Sequence, residues 1–295
     1  MVLFLLKLLS HLPLRFMHGV GKCLGLLVYW LPGRYRQRLQ DNARQAGYEN
    51  AAFARRAAAQ TGAMIMEIPK VWLKTNSALA RCHNPQINIV HEALAEKRGV
   101  LYLTPHLGCF EITARILVQH GPITVMYRPP RQAFLEPAMK VGRDLPGLRS
   151  VPANMRGVRE FMRALRRGEA VGMLPDQVPS SGDGVWATFF DKPAYTMTLA
   201  ARLAQQANVP VILTAGERLP RGQGWRIHYI RVPEPYPTDL AAFVQHINDA
   251  MQALIRRFPE QYLWSYNRYK IPAEAPPIPA ALLHPSTSTV TSKEP

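Results

Sequence analysis

Val100 to Glu111, VLYLTPHLGCFE, is the stretch whose reading decides the fold. It opens on an apolar run, Val100-Leu101-Tyr102-Leu103, of the kind a buried strand carries. Pro105 stops that strand and Gly108 loosens the turn after it. From Cys109 to His120 the pattern turns helical, with Phe110, Ala114, Leu117 and Val118 three to four residues apart. His106 therefore stands where a strand ends and a helix begins, the edge at which open α/β sheets bind ligands. Glu111 follows after four intervening residues, in the first helical turn, where a carboxylate suits the helix dipole. It is also placed to bond an imidazole nitrogen, which would fix the tautomer and leave the other nitrogen free as a base. The plain alternative is a loop histidine followed by an ordinary capping glutamate.

Outward from this stretch, strands and helices alternate. Strands are expected at Ile87–Val90, Val100–Thr104, Ile123–Arg128, Ala170–Leu174, Val209–Ala215 and Trp225–Val232. Helices are expected around Phe134–Val141, from Met155 to Arg167, over Thr198–Gln206 and over Leu240–Phe258. Asn154 caps the Met155 helix and Gly168 closes it. The alternation implies an α/β fold, a mixed, largely parallel sheet flanked by helices.

Upstream the chain is helical. Val2 to Leu31 is strongly apolar, but its longest uncharged run, Cys23 to Gly33, is too short for a typical membrane span of about 20 residues. Lys7, His11, Arg15, His18 and Lys22 fall on one helical stripe, so the segment reads as an N-terminal hydrophobic helix with Pro13 as a kink and a basic face towards lipid phosphates. No small-residue cleavage site marks it as a signal peptide. Arg34 to Ala46 is a polar helix closed by Gly47, and Asn50 caps a longer one to about Ile68, which Pro69 breaks or kinks. The expected organisation is a membrane-associated helix over 1–31, an α/β domain over 32–272, and a Pro-, Ser- and Thr-rich tail over 273–295 with the composition of disorder.

Across 295 residues the formal net charge is +16, which seeks anions. There is no zinc-finger spacing and no interleaving of basic and aromatic residues, and with the apolar N-terminus this favours membrane over nucleic acid. Three widely spaced cysteines, Cys23, Cys82 and Cys109, argue against a disulfide framework.

Two further stretches bear on chemistry. Arg156, Arg159, Arg163 and Arg166 or Arg167 line one face of the Met155 helix, either a solvated face or a surface for phosphates. Leu174-Pro175-Asp176-Gln177 places Asp176 beyond another strand, on the same expected sheet edge as His106; alone, such an aspartate is a turn former. No G-x-S-x-G elbow appears, and His106, Glu111 and Asp176 match no common metal spacing.

Taken in order, T-P-H-L-G-C-F-E, R-G-V-R, L-P-D-Q, F-F-D-K-P-A-Y-T and P-E-Q-Y-L-W-S-Y-N-R-Y-K resemble the bacterial lipid A biosynthesis acyltransferases, over about residues 1–271. Cys109-Phe110 stands where Asn-Trp is common in that family. The resemblance implies an α/β fold of the glycerolipid-acyltransferase type at the cytoplasmic face of the bacterial inner membrane. It implies transfer of an acyl chain from acyl carrier protein to a hydroxyl of a lipid A precursor, an anionic lipid. His106 and Glu111 match the family's catalytic dyad, Asp176 its D-Q motif, and Arg143 an arginine between the two. Arg128, Arg156, Arg159 and Gln177 are the substrate-binding candidates. Acyl transfer from a thioester to an alcohol needs a base, an orienter for it and donors for the oxyanion. His106 is the expected base, Glu111 its orienter, and either the first N–H groups of the Cys109 helix or Arg143 the donors, with no metal and no cofactor. The alternatives are the same chemistry on a lysophospholipid, glycolipid or ornithine lipid, and a non-catalytic membrane-surface protein.

Overall fold

The structure is a computed structural model that describes residues 2–127, 136–180 and 182–283. Two helices open it, α1 (Val2–Ser10) and α2 (Leu14–Trp30). The single N-terminal helix expected from the sequence is thus corrected to two: Pro13, extended at ψ 138°, is the N-cap of α2 rather than a kink within one helix. No helix among the described residues is long and apolar enough to cross a membrane.

α3 (Arg34–Gln45) and α4 (Ala51–Leu73) follow. α4 passes through Pro69 unbroken, another departure from expectation. The bond a proline deletes there leads to the carbonyl of Ile65, on the exposed side of the helix, while Val71 beyond it is fully buried. α2 lies directly on α4. A Cβ on Gly25 would stand 2.2 Å from the Ala58 carbonyl oxygen, and one on Gly62 would stand 1.9 Å from that of Gly21. Small residues four apart on both helices let the backbones touch. This packing divides the basic stripe: Lys7, His11 and Arg15 are exposed, but His18 is buried against α4. The outward faces of α1 and α2 carry Phe4, Leu8, Phe16, Leu24, Leu27 and Trp30 instead.

After α5 (Thr75–Leu79) and β1 (Cys82–His83) comes α6 (Ile87–Ala95), where a strand was expected. A short apolar run fits either element, and here Val90 and Ala93, three apart, face the core as one side of a helix. Then come β2 (Val100–Leu103), α7 (Phe110–Leu117), β3 (Ile123–Tyr127), α8 (Glu136–Arg143), β4 (Leu148–Pro152), α9 (Met155–Arg166) and β5 (Ala170–Met173). A hairpin of β6 (Gly184–Phe189) and β7 (Lys192–Met197) precedes α10 (Leu199–Ala207), β8 (Val211–Arg218), β9 (Trp225–Arg231), α11 (Leu240–Arg257) and a last turn, α12 (Ala280–Leu283).

The main sheet has the order β1-β9-β8-β2-β5-β3-β4 and is parallel except where β9 runs against β8. β2 and β5 are buried along their whole length, because helices cover both faces. Alternate residues feed two cores: Leu101, Leu103, Val171 and Met173 pack towards α10 and α11, and Val100, Tyr102, Ala170 and Ile212 towards α7. The register of β2 on β5 positions the site. Leu103 pairs with Met173. His106 and Asp176 each stand three residues past that pair (103 + 3, 173 + 3), at the carboxyl end of adjacent parallel strands. Of the tail expected to be disordered, Ala275, Ile278 and Leu282 pack on Val178, Trp186 and Tyr195, and Trp186 Nε1 donates to the Pro276 carbonyl at 2.7 Å.

Candidate active site

The turn that carries His106 is held from two sides. Gly108 N–H donates to the Gln261 carbonyl at 3.0 Å and Cys109 N–H to the Gly216 carbonyl at 2.7 Å. Leu263 N–H donates back to the His106 carbonyl at 3.0 Å. Gly108 has φ +60°, and a Cβ on it would stand 2.1 Å from the Gly216 carbonyl oxygen, so a side chain there is excluded. The tight turn leaves the N–H groups of Phe110 and Glu111, at the start of α7, without a hydrogen bond among the described residues.

Asp176, 2 % exposed, takes two hydrogen bonds from His106: the backbone N–H at 2.9 Å and ring Nδ1 at 2.8 Å. Burial works against its charge, but the attraction of His106 and these bonds outweigh it and hold the carboxyl below the ordinary aspartate value. Gln177 Nε2 lies 3.2 Å from His106 Nε2. An amide N–H donates, so this bond assigns the lone pair to Nε2 and the proton to Nδ1, where Asp176 accepts it. The ring packs against Phe110, centroids 5.1 Å apart, and the side chain remains 15 % exposed. Behind Asp176 stand Tyr262 and Arg268, both buried; burial, and then the Asp176 charge, push the Tyr262 phenol well above its usual range.

Glu111, the orienter expected from the sequence, is placed apart from the ring. Glu111 makes no hydrogen bond to His106 among the described residues. Its Oε2 accepts from Trp72 Nε1 at 2.8 Å and lies 3.5 Å from Arg115 Nη1, and its Oε1 lies 3.9 Å from Arg143 Nη2. The reason is geometric: from the first turn of α7 the carboxylate reaches towards α4 and α8, while the β2–β5 register brings Asp176 under the ring. Arg143, the last residue of α8, also stacks on Tyr127 at 5.1 Å. Arg115 is buried, donates to the Glu111 carbonyl at 2.9 Å and to the Gly142 carbonyl, and so joins α7 to α8. Gly142 has no room for a side chain, since a Cβ would stand 2.4 Å from the Trp72 ring.

His106, Asp176 and Gln177 thus form one group, and Glu111 of α7 with Arg143 of α8 a second beside it. Arg156 and Arg159 project into solvent from α9, whose start is capped by Asn154 Oδ1, accepting from Arg156 N–H at 3.0 Å. Arg128 lies outside the described residues. Trp72, Arg115 and Tyr262 were missed in the sequence, where each reads as an ordinary helix or core residue.

A strand-end histidine, partly exposed and bonded to an ionised aspartate, with no nucleophilic side chain on its other nitrogen among the described residues, is equipped to deprotonate a hydroxyl supplied by a substrate. Comparison with known proteins agrees with an acyl-transfer fold. A family model described as bacterial lipid A biosynthesis acyltransferase matches residues 1–271, and the chain belongs to that family. The lipid A biosynthesis palmitoleoyltransferase of Escherichia coli (strain K12) is 27 % identical over 214 residues, 71 % of this chain and 68 % of that protein. The lipid A biosynthesis lauroyltransferase of the same strain is 26 % identical over 223 residues, 73 % and 71 % of the two chains. A lipid A biosynthesis acyltransferase of Haemophilus influenzae is 22 % identical over 273 residues, 89 % and 84 %.

Proposed function

We propose that this acyltransferase moves a fatty acyl chain from acyl carrier protein to a hydroxyl of a lipid A precursor, at the cytoplasmic face of the inner membrane. The observation that carries the reading is the Asp176–His106 pair with its basic Nε2 turned away from the carboxylate. The acceptor hydroxyl displaces Gln177 and gives its proton to Nε2 as its oxygen attacks the thioester carbonyl. An oxygen–carbon bond forms, the carbon–sulfur bond breaks, and the imidazolium returns the proton to the leaving thiolate. Asp176 holds the tautomer and balances the imidazolium charge. The oxyanion is met by the N–H groups of Phe110 and Glu111 or by Arg143, which Glu111 holds in place. Arg156, Arg159 and Arg128 would bind anionic parts of the substrates. The outward apolar residues of α1 and α2, with Lys7 and Arg15 among them, suit the headgroup region of a membrane. No cofactor is needed.

The test uses the purified full chain with acyl carrier protein thioester and lipid A precursor. Product ester from the wild type and none from His106→Ala, with both proteins folded, is the expected result. Ester on a different lipid acceptor only would replace the acceptor in this reading, and equal rates for the two proteins would remove His106 as the base.

A further inference from the structure

A second buried polar cluster lies beneath the catalytic turn. Glu67, on α4, is fully buried, and its Oε2 accepts from His18 Nε2 at 3.0 Å, Arg218 Nε at 2.9 Å and Trp225 Nε1 at 3.0 Å. Its Oε1 accepts from Arg218 Nη2. Arg218 ends β8 and gives its remaining Nη1 to Gln60 Oε1 at 2.9 Å. Gln261 clamps the backbone of the same residue: its Oε1 accepts from Arg218 N–H at 2.8 Å and its Nε2 donates to the Arg218 carbonyl at 3.0 Å.

These are the pieces on which the His106 turn rests. The carbonyl that receives Gly108 N–H belongs to Gln261, and the carbonyl that receives Cys109 N–H belongs to Gly216, two residues before Arg218. Both anchors therefore adjoin Arg218: Gly216 through the strand, and Gln261 through its clamp on the Arg218 backbone and a longer bond from Arg218 Nη1 to Gln261 Oε1 at 3.4 Å. A buried ion pair is weak evidence for a purely stabilising role, because apolar side chains of equal volume often serve stability as well. What the charged network adds is a fixed geometry at the end of β8. It also reaches α2, since His18 bonds Glu67.

We propose that Arg218 is a positioning residue for the reaction: it fixes the end of β8 and Gln261, and through them the turn that aims His106, while Glu67 and His18 make that fixation depend on α2 being seated on α4. The inference rests on His106 being the base, so His106→Ala is measured beside the other variants.

The experiment compares kcat and KM for donor and acceptor in full-length Arg218→Ala and His18→Ala. A displacement of the base by about an ångström lowers turnover about 100-fold while leaving substrate binding in place. Arg218→Ala is expected to lose turnover on that scale with both KM values near wild type, and to recover part of it when guanidinium ion is added below denaturing concentration. Arg218→Lys should fall between the two. His18→Ala leaves the Glu67–Arg218 pair intact and should lower kcat several-fold, again at constant KM. Wild-type kcat in a folded Arg218→Ala protein overturns the proposal, as does a loss that guanidinium does not restore. If Arg218→Ala does not fold, His18→Ala decides, and unchanged kcat there overturns it. Wild-type activity in His106→Ala would instead show that the base was misassigned.

Discussion

Asp176→Asn keeps the size of the side chain and removes its charge. An amide can turn its NH2 towards Nδ1, which favours the imidazole tautomer with its proton on Nε2, the wrong one for a base. Turnover should fall by about 100-fold or more, close to the 100- to 10,000-fold expected for His106→Ala, with KM little changed in steady-state assays. Glu111→Gln touches a different group. It should weaken the hold on Arg143 and Trp72 and lower kcat less than Asp176→Asn does, because Asp176 still bonds His106. A larger loss of kcat in Glu111→Gln than in Asp176→Asn would return the orienting role to Glu111. Arg159 sits exposed on α9, one residue of a stripe rather than part of the His106 turn. Arg159→Glu should raise the apparent KM for the substrate whose anion docks there and spare kcat. If that substrate is the carrier protein, the effect should disappear with a carrier-free acyl donor, and in the wild type it should weaken with salt, since exposed charges are screened over about 10 Å at 0.1 M. His106 and Asp176 were legible in the sequence because each follows an apolar run closed by proline. Which carboxylate bonds the ring was not, because that depends on β2 and β5 being neighbours in register, and 70 residues separate them in the chain.

Among the elements, the α2–α4 contact is the most exacting. Gly62→Ala puts a methyl 1.9 Å from the Gly21 carbonyl, and only separation of the helices relieves it. The cost should be about 1–3 kcal/mol, read as a lower denaturation midpoint. The ion pair in this contact also sets an acid sensitivity. Burial raises the Glu67 carboxyl, but Arg218 and His18 outweigh that and hold it at about 2, below its ordinary 4.5. A depressed carboxyl stabilises the fold fully above its unfolded value and loses that contribution as pH falls through its folded one. Stability should therefore decline from about pH 4.5 to about 2, and Glu67→Gln should flatten that decline in acid-unfolding curves followed by circular dichroism. A sequence reader sees none of this network, because Glu67 and Arg218 are 151 residues apart and Glu67 reads as one polar position on a long helix. α6 was misread for a local reason: Ile87-Asn88-Ile89-Val90 is rich in β-branched residues, and the choice of helix is made by what Val90 and Ala93 pack against.

At the scale of the molecule, the N-terminal helices face two ways. Their inner side is glued to α4 by glycines and His18, and their outer side shows apolar side chains flanked by Lys7 and Arg15. Deleting 1–31 would strip the cover from α4 and confuse loss of fold with loss of membrane binding. Leu24→Asp with Leu27→Asp, both on the outer face, avoids that. The double variant should keep its unfolding midpoint and lose most of its sedimentation with anionic lipid vesicles, whereas undiminished sedimentation would place the membrane contact elsewhere. The α/β architecture was readable from alternating apolar runs and caps. The strand order was not, nor the hairpin of β6 and β7, whose residues alternate too weakly to announce it.

Gln177 on the free nitrogen of His106 has a consequence for bystander chemistry. Water is a far more abundant nucleophile than any lipid, and an activated thioester beside an unoccupied base would be squandered by hydrolysis. With an amide seated on Nε2 at 3.2 Å, a base at His106 as proposed would be engaged until an acceptor hydroxyl competes for it. Removing the amide in Gln177→Ala should raise donor hydrolysis without acceptor, followed as free thiol released, more than it changes transfer when acceptor is present. The side chain would then act as a chaperon of the acyl group, trading a small delay in proton abstraction for fidelity between lipid and solvent.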